Sequence, residues 1–532
     1  MDNTVTGRHD SDVLIAGAGP VGQVLALLLA QQGLRVSIVE RWAQPYPLPR
    51  AVAIAHDTLR VLHQLGLGEE LSPLLEPWGQ DGQRFSFADS SGETLAESGY
   101  PLESDSGFAL MSGFSQPDLE QLLEGRVQAE PLIEQYRGFS LEELSADGAG
   151  VTAVIQPHTG ATLVRNGLPR TVRAAFAVGC DGANSTVRAL AGLEMTDLGF
   201  DRDWLVVDVL PHTPPTWLPY ACQRLGPARP TTLVPAGPGR RRWEFMIMPG
   251  DRQDDIDTDE NAWQLLKPWE IHPGNADLVR HALYTFRARW ADRWRDGRVV
   301  LAGDAAHQMP PFLAQGINSG IRDAASLAWR LSLLVAGKGK ESLLDDYATE
   351  RRVQVSQIVE ATVAVGGLIC LIDPEQAAER DAQLRKAGAQ GTQQVLTDWT
   401  LSGGTLRDDG AGGKLGLQAT VGTPGRTALL DDVLPPPGFV LIGRDRDPAA
   451  LLSPAQRATW QRIGGRSVHF GPGGLTDAEG KYARWFDRLG TAVVLIRPDF
   501  QVFGGVPEPG DTGDLVDQLA GRVLVEDRKD VG

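Results

Sequence analysis

A glycine-rich motif near the N-terminus has the residue spacing of a dinucleotide-binding turn. Gly17, Gly19 and Gly22 form a complete G-x-G-x-x-G pattern, and Glu40 ends the next apolar run. In such a turn the first glycine permits a tight bend, the second lets the backbone approach a pyrophosphate, and the third lets the helix pack closely on its strand. The helix N-terminus offers free N–H groups to phosphates, and an acid at Glu40 would accept hydrogen bonds from a ribose. The motif therefore predicts a dinucleotide site and leaves FAD and NAD open.

Two further acidic turns follow predicted strands. Asp181 and Gly182 come after the strand predicted over residues 171–178, and Gly303 and Asp304 come after the apolar run 298–302. In open α/β sheets, ligands bind outside the carboxyl ends of parallel strands. We therefore expect these two turns to meet the same ligand as the glycine motif.

The elements that position these turns indicate an α/β sheet. Residues 13–16 and 36–39 read as buried strands on either side of an apolar helix, and a later helix is expected to begin near Gly316, Ile317 and Asn318. This alternation of strand and helix predicts parallel strands with crossover helices.

Other stretches have a different character. Residues 204–248 contain strand-like runs between proline-rich turns, which favours an antiparallel sheet. Residues 50–66 and residues 341–387 are predicted to be helical. The antiparallel sheet would form a natural wall for a substrate cavity.

Composition and charge exclude several classes of function. The 532 residues carry a net charge of −18, and their basic residues cluster tightly only at 240–242, which argues against a nucleic-acid-binding surface. Cys180, Cys222 and Cys370 are widely spaced, so they predict neither a disulfide framework nor a metal site and fit a reducing cytoplasm. The polar first residues predict no secretory signal. The uncharged run 13–30 contains the glycine turn, so we predict no membrane span.

Together the three turns resemble the pattern of the class A flavoprotein monooxygenases, which have the para-hydroxybenzoate-hydroxylase-like fold. The resemblance extends along nearly the whole chain. Within that family, residues 50–62, 237–246, 310–324 and 497–499 are similar to the branch that contains 3-(3-hydroxyphenyl)propionate hydroxylase. The resemblance implies an α/β fold in which a Rossmann-like FAD-binding domain is interleaved with an antiparallel-sheet substrate domain and followed by a thioredoxin-like domain.

The resemblance also implies the cofactors. FAD would be bound, with Arg50 and Gln116 in contact with it, Arg41 beside Glu40, and Asp304 bonded to its ribityl chain. NADH or NADPH would bind only transiently, because the sequence has no second G-x-G-x-x-G unit. In the family, the Asp-Gly pair at 181–182 is implicated in binding both FAD and the nicotinamide nucleotide.

The chain divides by resemblance into an FAD-binding domain, a substrate domain, a linker and a C-terminal domain. The predicted bounds are 1–195 and 286–400 for the FAD-binding domain, with part of the substrate sheet around 80–115, then 196–285 for the substrate-binding sheet, 401–424 for the linker and 425–532 for the thioredoxin-like domain. The last domain has no C-x-x-C motif, so we expect a structural or oligomerisation role, with a homodimer as one outcome.

The resemblance implies hydroxylation of a small phenolic substrate by O2. Reduced FAD would form a flavin C4a-hydroperoxide that transfers one oxygen atom to the ring. The loop that contains Pro311 would lie against the reactive edge and exclude water. The phenol must also lose its proton, and the sequence leaves the acceptor open among His56, Asp57, His212 and Tyr220. His307, next to the loop, is expected to hold it by a hydrogen bond.

Three other functions are compatible with parts of this pattern. A tailoring oxygenase for a polyketide or another secondary metabolite would use the same cofactor site with a larger cavity. A flavin-bearing binding or redox-sensing protein would use the C-terminal domain for interactions. An NAD-dependent dehydrogenase would need only the first motif and would give the turn at 303–304 no purpose.

Overall fold

The structure is a computed structural model that describes residues 9–48, 50–159, 163–389, 399–434 and 438–526. Its fold is mixed α/β. The helices of this described part are α1 (Pro20–Gln31), α2 (His56–Gln64), α3 (Gly68–Leu71), α4 (Gln116–Ala129), α5 (Thr186–Leu190), α6 (Gln253–Ile256), α7 (Asp259–Leu266), α8 (Gly316–Val335), α9 (Leu343–Ile369), α10 (Pro374–Ala389), α11 (Leu430–Val433), α12 (Pro454–Arg462), α13 (Lys481–Leu489) and α14 (Thr512–Val523).

In the first sheet, the glycine motif follows the carboxyl end of a central strand. Its strands are β1 (Ser11–Ala16), β2 (Val36–Glu40), β8 (Ile133–Arg137), β9 (Phe139–Ala146), β10 (Val151–Thr159), β11 (Val164–Arg165), β12 (Arg170–Gly179), β18 (Arg295–Asp296) and β19 (Val299–Leu301). Strands β2, β1, β12 and β19 are parallel neighbours, and their register places Val39, Ala16, Gly179 and Leu301 level with one another. The three predicted turns therefore leave the sheet at the same edge.

A second, largely antiparallel sheet stands apart from the first. Its strands are β5 (Arg84–Ala88), β6 (Thr94–Gly99), β13 (Met195–Pro211), β14 (Ala221–Arg224), β15 (Thr231–Pro235), β16 (Arg241–Met246), β17 (Ala276–Ala291) and β20 (His307–Gln308), in the order β20-β17-β13-β16-β15-β14-β5-β6. The antiparallel sheet predicted over residues 204–248 is thus confirmed, and the hairpin of β5 and β6 extends it through the parallel pair β5–β14. One face packs on α7 through Trp243 and Phe245.

Two helical predictions are wrong in part. Residues 50–66 do not form one helix, because β3 (Ala53–Ala55) precedes α2 and pairs in a small sheet with β7 (Met111–Phe114), which also pairs with β4 (Leu75–Pro77). Residues 341–387 do not form one helix either, because α9 and α10 meet at an angle of 114°. Pro374 begins α10, a position that proline favours because the first helical N–H needs no partner.

The C-terminal region has a sheet of its own and a small three-stranded one. The larger sheet has the order β24 (Arg466–His469), β23 (Val440–Gly443), β26 (Val493–Ile496) and β27 (Val502–Val506), and the smaller sheet consists of β22 (Arg426–Leu429), β21 (Thr420–Thr423) and β25 (Thr476–Asp477). Strands β23 and β24 are parallel, whereas β26 is antiparallel to both β23 and β27.

The segment predicted as a linker is packed on this region. Leu401 and Leu406 are buried, and the backbone N–H groups of Arg407 and Gly413 donate to the carbonyls of Phe503 and Val502. The segment therefore connects the two regions in sequence and also lies along the C-terminal sheet.

Buried charges join the C-terminal region to the long helices. Glu350 of α9 accepts hydrogen bonds from Arg330 of α8, at 2.8 Å, and from Arg497, at 2.9 Å, and also accepts from the N–H of Thr405, at 2.7 Å. Arg497 is further paired with Asp499. These side chains are buried, so each charge depends on its partner in place of water.

We expect Glu350→Gln to weaken this junction. The amide keeps the shape of the side chain but removes the negative charge between two arginines, so we expect the free energy of unfolding to fall by about 1–3 kcal/mol. Urea unfolding and the rate of proteolytic release of the C-terminal region measure the change. The matched control is Glu360→Gln, at an exposed position of the same helix, which should change neither.

No single helix within the described ranges is long and apolar enough to cross a membrane. The bent pair of α9 and α10 meets the criteria of length and composition when the two helices are taken together. No group of three or more histidine, cysteine, aspartate and glutamate side chains in the same ranges is arranged to hold a metal ion.

Candidate active site

The glycine turn is closely packed on one side and open on the other. A Cβ atom on Gly17, whose φ is +102°, would lie 2.3 Å from the Cys180 carbonyl oxygen, and one on Gly22 would lie 2.0 Å from the Gly17 carbonyl oxygen. A Cβ on Gly19 would meet no described atom within 4 Å. Gly17 and Gly22 are therefore required by packing, whereas Gly19 faces open space.

That open space lies at the N-terminus of α1. Gly19 is the N-cap of the helix, and no side chain of the described residues caps it. The Glu40 carboxylate accepts from the N–H of Ala18 at 2.8 Å and from the N–H of Trp42 at 2.9 Å, which fixes the acid beside the turn. Free N–H groups and a positive dipole end, next to an oriented carboxylate, fit the pyrophosphate and ribose of a dinucleotide.

Asp181 mainly organises its own turn. Its carboxylate accepts from the Ser185 hydroxyl at 2.5 Å and from the N–H groups of Thr186 and Val187 at the start of α5. Arg188 of the same helix donates to the Ala305 carbonyl at 2.8 Å, so the second turn supports the third. The adjacent Gly182 has a φ of +80° and no described atom near its Cβ position.

A buried carboxylate supports the third turn, at residues 303–304. Asp323 of α8 accepts from the N–H of Gly303 at 2.9 Å, from His307 Nε2 at 2.7 Å and from Arg351 Nε at 2.7 Å. His307 and Asp323 are fully buried, so His307 anchors the turn to α8, whereas its predicted hydrogen bond to the loop at Pro311 stays a prediction. Asp304 itself is exposed at the edge of the sheet, where a bound cofactor would cover it.

The loop after this turn leads into the long helix. Pro311 begins a short 3-10 turn, Ala314 has a φ of +53°, and α8 starts at Gly316, where a Cβ would meet no described atom. Asn318 is buried and donates to the Ala314 carbonyl at 2.6 Å, while its side-chain oxygen accepts from the N–H of Ala55 at 2.8 Å. Asn318 therefore bonds both the loop and β3 and holds them together. Ile317, predicted with Gly316 and Asn318, occupies the first turn of the helix.

Gln116 positions the chain just before β3. Its side-chain oxygen accepts from the N–H groups of Arg50, at 3.2 Å, and Ala51, at 2.6 Å. The guanidinium of Arg50 lies 4.3 Å from the ring centroid of Tyr46. The guanidinium of Arg41, next to Glu40, lies 5.8 Å from the ring centroid of Trp42.

The second sheet has one face on α7 and another, here called the open face, that carries Trp204, Asp208 and Glu244 and contacts these loops. Trp204 on this face packs edge-on against Phe312, with ring centroids 5.8 Å apart. Further along, Arg242 is paired with Asp208 at 2.7 Å and donates to the Arg50 carbonyl at 2.5 Å. The sheet face therefore contacts both the loop at Pro311 and the segment before β3.

Tyr220 lies directly before β14, a strand of the same sheet. It packs in a cluster with Trp78, Tyr100 and Ala314, and its buried hydroxyl lies beside the carboxyl of Glu76. Burial, followed by the nearby charge of Glu76, raises the pKa of Tyr220 far above its usual range. Tyr220 is therefore a hydrogen-bond donor at neutral pH and not a base.

His56 lies at the first position of α2. Its Nδ1 is 3.0 Å from the Ser106 hydroxyl, and burial lowers its pKa. The next residue, Asp57, pairs with Arg322 of α8. Asp57 therefore connects the start of α2 to α8, and among the described residues the side-chain hydrogen bonds of His56 and Asp57 do not reach the second sheet. His212, another residue considered as proton acceptor, is exposed and pairs with Asp277 at 3.1 Å.

The sequence reasoning missed the polar row in the middle of the sheet face. Gln223, Thr232 and Glu244 lie on adjacent strands, and Thr232 donates to Gln223 at 2.6 Å. Alternation within β16 could have indicated a buried strand that carries charge on one side. It could not show which side faces the cavity, because that depends on pairing with distant strands.

The fold, a parallel sheet with a glycine turn and a second, largely antiparallel sheet, is that of the FAD-dependent aromatic hydroxylases. Residues 10–362 match the family model described as an FAD binding domain, and residues 413–522 match a C-terminal domain known as the HcaD C-terminal domain. The chain belongs to this FAD-binding family of monooxygenases, and FAD is its cofactor.

Similar proteins cover nearly the whole chain. A probable NADH-specific resorcinol 4-hydroxylase of Rhodococcus jostii (strain RHA1) is 34% identical over 97% of this chain and 96% of its own length. A 3-(3-hydroxy-phenyl)propionate/3-hydroxycinnamic acid hydroxylase of Paraburkholderia xenovorans (strain LB400) is 31% identical over 96% of this chain and 91% of its own length. The crystal structure of the flavin-dependent monooxygenase PieE with FAD and substrate has a TM-score of 0.81 at 22% identity, covering 97% of this chain and 99% of PieE, which shows the shared fold.

Proposed function

We propose that this enzyme hydroxylates a small phenol, of the resorcinol or hydroxyphenylpropionate type, with NADH as the electron donor. The observation that carries the proposal is the open sheet face, which contacts the loop at Pro311 through Trp204 and Phe312. That face combines aromatic side chains with a few polar groups. Such a lining suits an aromatic ring that carries hydroxyl groups. The similarity to a resorcinol hydroxylase described as NADH-specific supports the choice of substrate class and of nicotinamide.

We further propose which residues hold FAD. The backbone at Gly17, Gly19 and Gly22 would receive the pyrophosphate, and Glu40 would accept hydrogen bonds from the ribose. The support is the open space at Gly19 and the orientation of Glu40 by the N–H of Ala18. Arg41 and the turn at 181–182 would complete the nucleotide end.

The flavin end would lie between the third turn and the start of α8. Asp304 would bond the ribityl chain, and Arg50, held by Gln116, would approach the ring. The N–H groups at Gly316 and Ile317 would stabilise negative charge on the ring through the helix dipole, with Asn318 holding the loop in position. When bound, FAD supplies the electron-transfer and oxygen chemistry that no side chain provides.

The substrate ring would lie between the sheet face and Pro311. The 3-10 turn at Pro311 packs on the sheet through Phe312, which would close this side of the site and exclude water. Tyr220 would turn its hydroxyl from Glu76 to donate a hydrogen bond to an oxygen of the substrate. A catalytic role for His56 stays a prediction.

We propose that the C-terminal region, from about residue 425, is a thioredoxin-like domain with a structural role. Its β23–α12–β24 unit is parallel, and its β26–β27 hairpin is followed by α14, an arrangement that supports this assignment. The other domain bounds given above, a homodimer and the cytoplasm stay predictions.

Oxidation of NADH by the FAD-loaded enzyme, with a panel of phenols, tests the proposed function. We expect resorcinol or 3-(3-hydroxyphenyl)propionate to stimulate oxidation strongly and to yield a product heavier by one oxygen atom. Polycyclic phenols form the arm for a tailoring oxygenase. If only a polycyclic phenol is hydroxylated, the small-phenol proposal is wrong. If FAD stays bound and no phenol stimulates oxidation, a binding or redox-sensing role replaces it.

A further inference from the structure

Glu244 is a carboxyl in the middle of the open sheet face. It alternates along β16 with Arg242 and Met246, so the three share one side of the strand. Its neighbours across the sheet are Val206 on β13 and Thr232 on β15. Glu244 therefore belongs to the face that is turned toward the FAD loops.

Three contacts surround this position. On one side, Arg242 reaches the Arg50 carbonyl. On the other side, Trp204, which lies opposite Met246, packs on Phe312 of the loop at Pro311. On the third side, Val234, which lies opposite Arg242, packs in the same cluster as Ala314. Glu244 lies on the sheet between the residues that make these contacts.

The carboxyl of Glu244 has no hydrogen-bond or ion-pair partner among the described residues, although only 6% of the residue is exposed. Its polar neighbours Thr232 and Gln223 are bonded to each other. A carboxyl with so little access to water and no partner is costly to ionise. The Nη2 of Arg280 on the same face is buried without a hydrogen-bond partner among these residues.

We propose that Glu244 accepts the proton of the substrate hydroxyl during hydroxylation, an inference that rests on the phenol hydroxylation proposed above. In this step the phenol O–H bond breaks and its electron pair stays on the phenol oxygen. The proton forms an O–H bond with the Glu244 carboxylate, which becomes a neutral acid. The phenolate so formed directs electron density to the ring carbons that receive oxygen. After oxygen transfer, the proton returns to the product hydroxyl and the carboxylate is restored.

The electrostatic surroundings suit this role. Burial raises the pKa of Glu244 to about 7, against the opposing effect of Arg242, while Asp208 raises it further and Arg280 lowers it. These three are the charged groups of β16, β13 and β17 that act on its pKa, and its neighbour on β15, Thr232, carries no charge. A base is most effective when its pKa lies near the working pH.

The other candidates fit this role less well. Tyr220 keeps its proton at neutral pH, as shown above, so it can donate to the substrate but not accept. Asp208 is already neutralised by two arginines, Arg242 and Arg280, each within 2.7 Å. His56, at the start of α2, bonds Ser106 and has no hydrogen bond to the second sheet among the described residues. Glu244 is therefore the acceptor that the open face offers.

Substitution of Glu244 tests the proposal with resorcinol as the substrate. We expect Glu244→Gln to bind FAD normally but to hydroxylate about a hundredfold more slowly, the usual contribution of a general base. The wild-type kcat should fall as the pH drops below the pKa of Glu244, because the protonated acid cannot accept a proton. Glu244→Gln should lose this dependence, and Glu244→Asp should keep part of the activity. Glu260→Gln, exposed on α7, is the matched control and should behave as wild type.

A second readout does not depend on turnover. The infrared difference between wild-type and Glu244→Gln protein, both loaded with FAD and without substrate, should show one carboxyl that titrates near neutral pH. The proposal is overturned if that band is missing, or if Glu244→Gln retains both the rate and the pH dependence of an active wild type. If the wild type hydroxylates no phenol at all, the proposed function fails first, and the role of Glu244 fails with it.

Discussion

Gly19→Val is expected to give a folded protein that does not retain FAD. Gly19 has an extended backbone conformation, with φ −75° and ψ 179°, which valine adopts without strain. Its Cβ would project into the open space before α1, where no described atom lies within 4 Å. The side chain would occupy the place of the pyrophosphate. Loss of two charge-assisted hydrogen bonds would weaken FAD binding by about a hundredfold or more.

The measurement is the flavin absorbance that remains after gel filtration, together with the circular dichroism of the same sample. Gly125→Ala is the matched control, because Gly125 is exposed in α4 and its Cβ position is also open. That variant should keep its FAD. Retention of FAD by Gly19→Val would contradict the assignment of the pyrophosphate to this turn.

Asp323→Ala is expected to cause the largest loss of stability. Asp323 is fully buried and accepts hydrogen bonds from Arg351, His307 and the N–H of Gly303. Its removal leaves a buried arginine without its carboxylate, so the free energy of unfolding should fall by about 3–5 kcal/mol. Because Gly303 precedes Asp304, the variant should also bind FAD less tightly. Urea unfolding of the FAD-free protein separates the two effects.

The control for this variant is Asp345→Ala. Asp345 pairs with Arg295 at 2.7 Å, but 65% of its side chain is exposed, so its loss should cost less than about 1 kcal/mol. Equal stability of the two variants would show that the buried network does not hold the turn.

The same carboxylate predicts a dependence on pH. Burial raises the pKa of Asp323, but Arg351 and His307 outweigh this and leave the pKa below its ordinary value. A lowered pKa contributes stability above the unfolded pKa, about 3.9, and this contribution is lost as the pH falls toward the folded value. Asp323→Asn should remove this part of the acid sensitivity.

Much of the FAD-binding part could be predicted because its signals are local. The strand, glycine turn and helix at residues 11–31 are contiguous, and each glycine has a separate steric or binding reason. The apolar strands β12 and β19 are likewise short uninterrupted runs followed by an acidic turn. Local pattern was sufficient here because each turn directly follows its own strand, and parallel strands end at the same edge of the sheet.

The remainder depends on contacts between distant residues. β3 has only three residues in a stretch with helical periodicity, and it is a strand because it pairs with β7 and is bonded by Asn318. The central position of Glu244 likewise results from the register of β13, β15 and β16. The sequence places Asp323 in a helix but does not show its partner, because its hydrogen bond to the N–H of Gly303 depends on the tertiary fold.

The origin of the oxygen in the product tests most directly whether the enzyme is a monooxygenase that acts on phenols. FAD-loaded enzyme, NADH and resorcinol are incubated under isotopically labelled O2 in ordinary water, and the product is analysed by mass spectrometry. We expect a hydroxylated product that carries one labelled oxygen atom, with about one NADH consumed per product. An unlabelled product, or NADH oxidation that yields only hydrogen peroxide with every phenol of the panel, would contradict it.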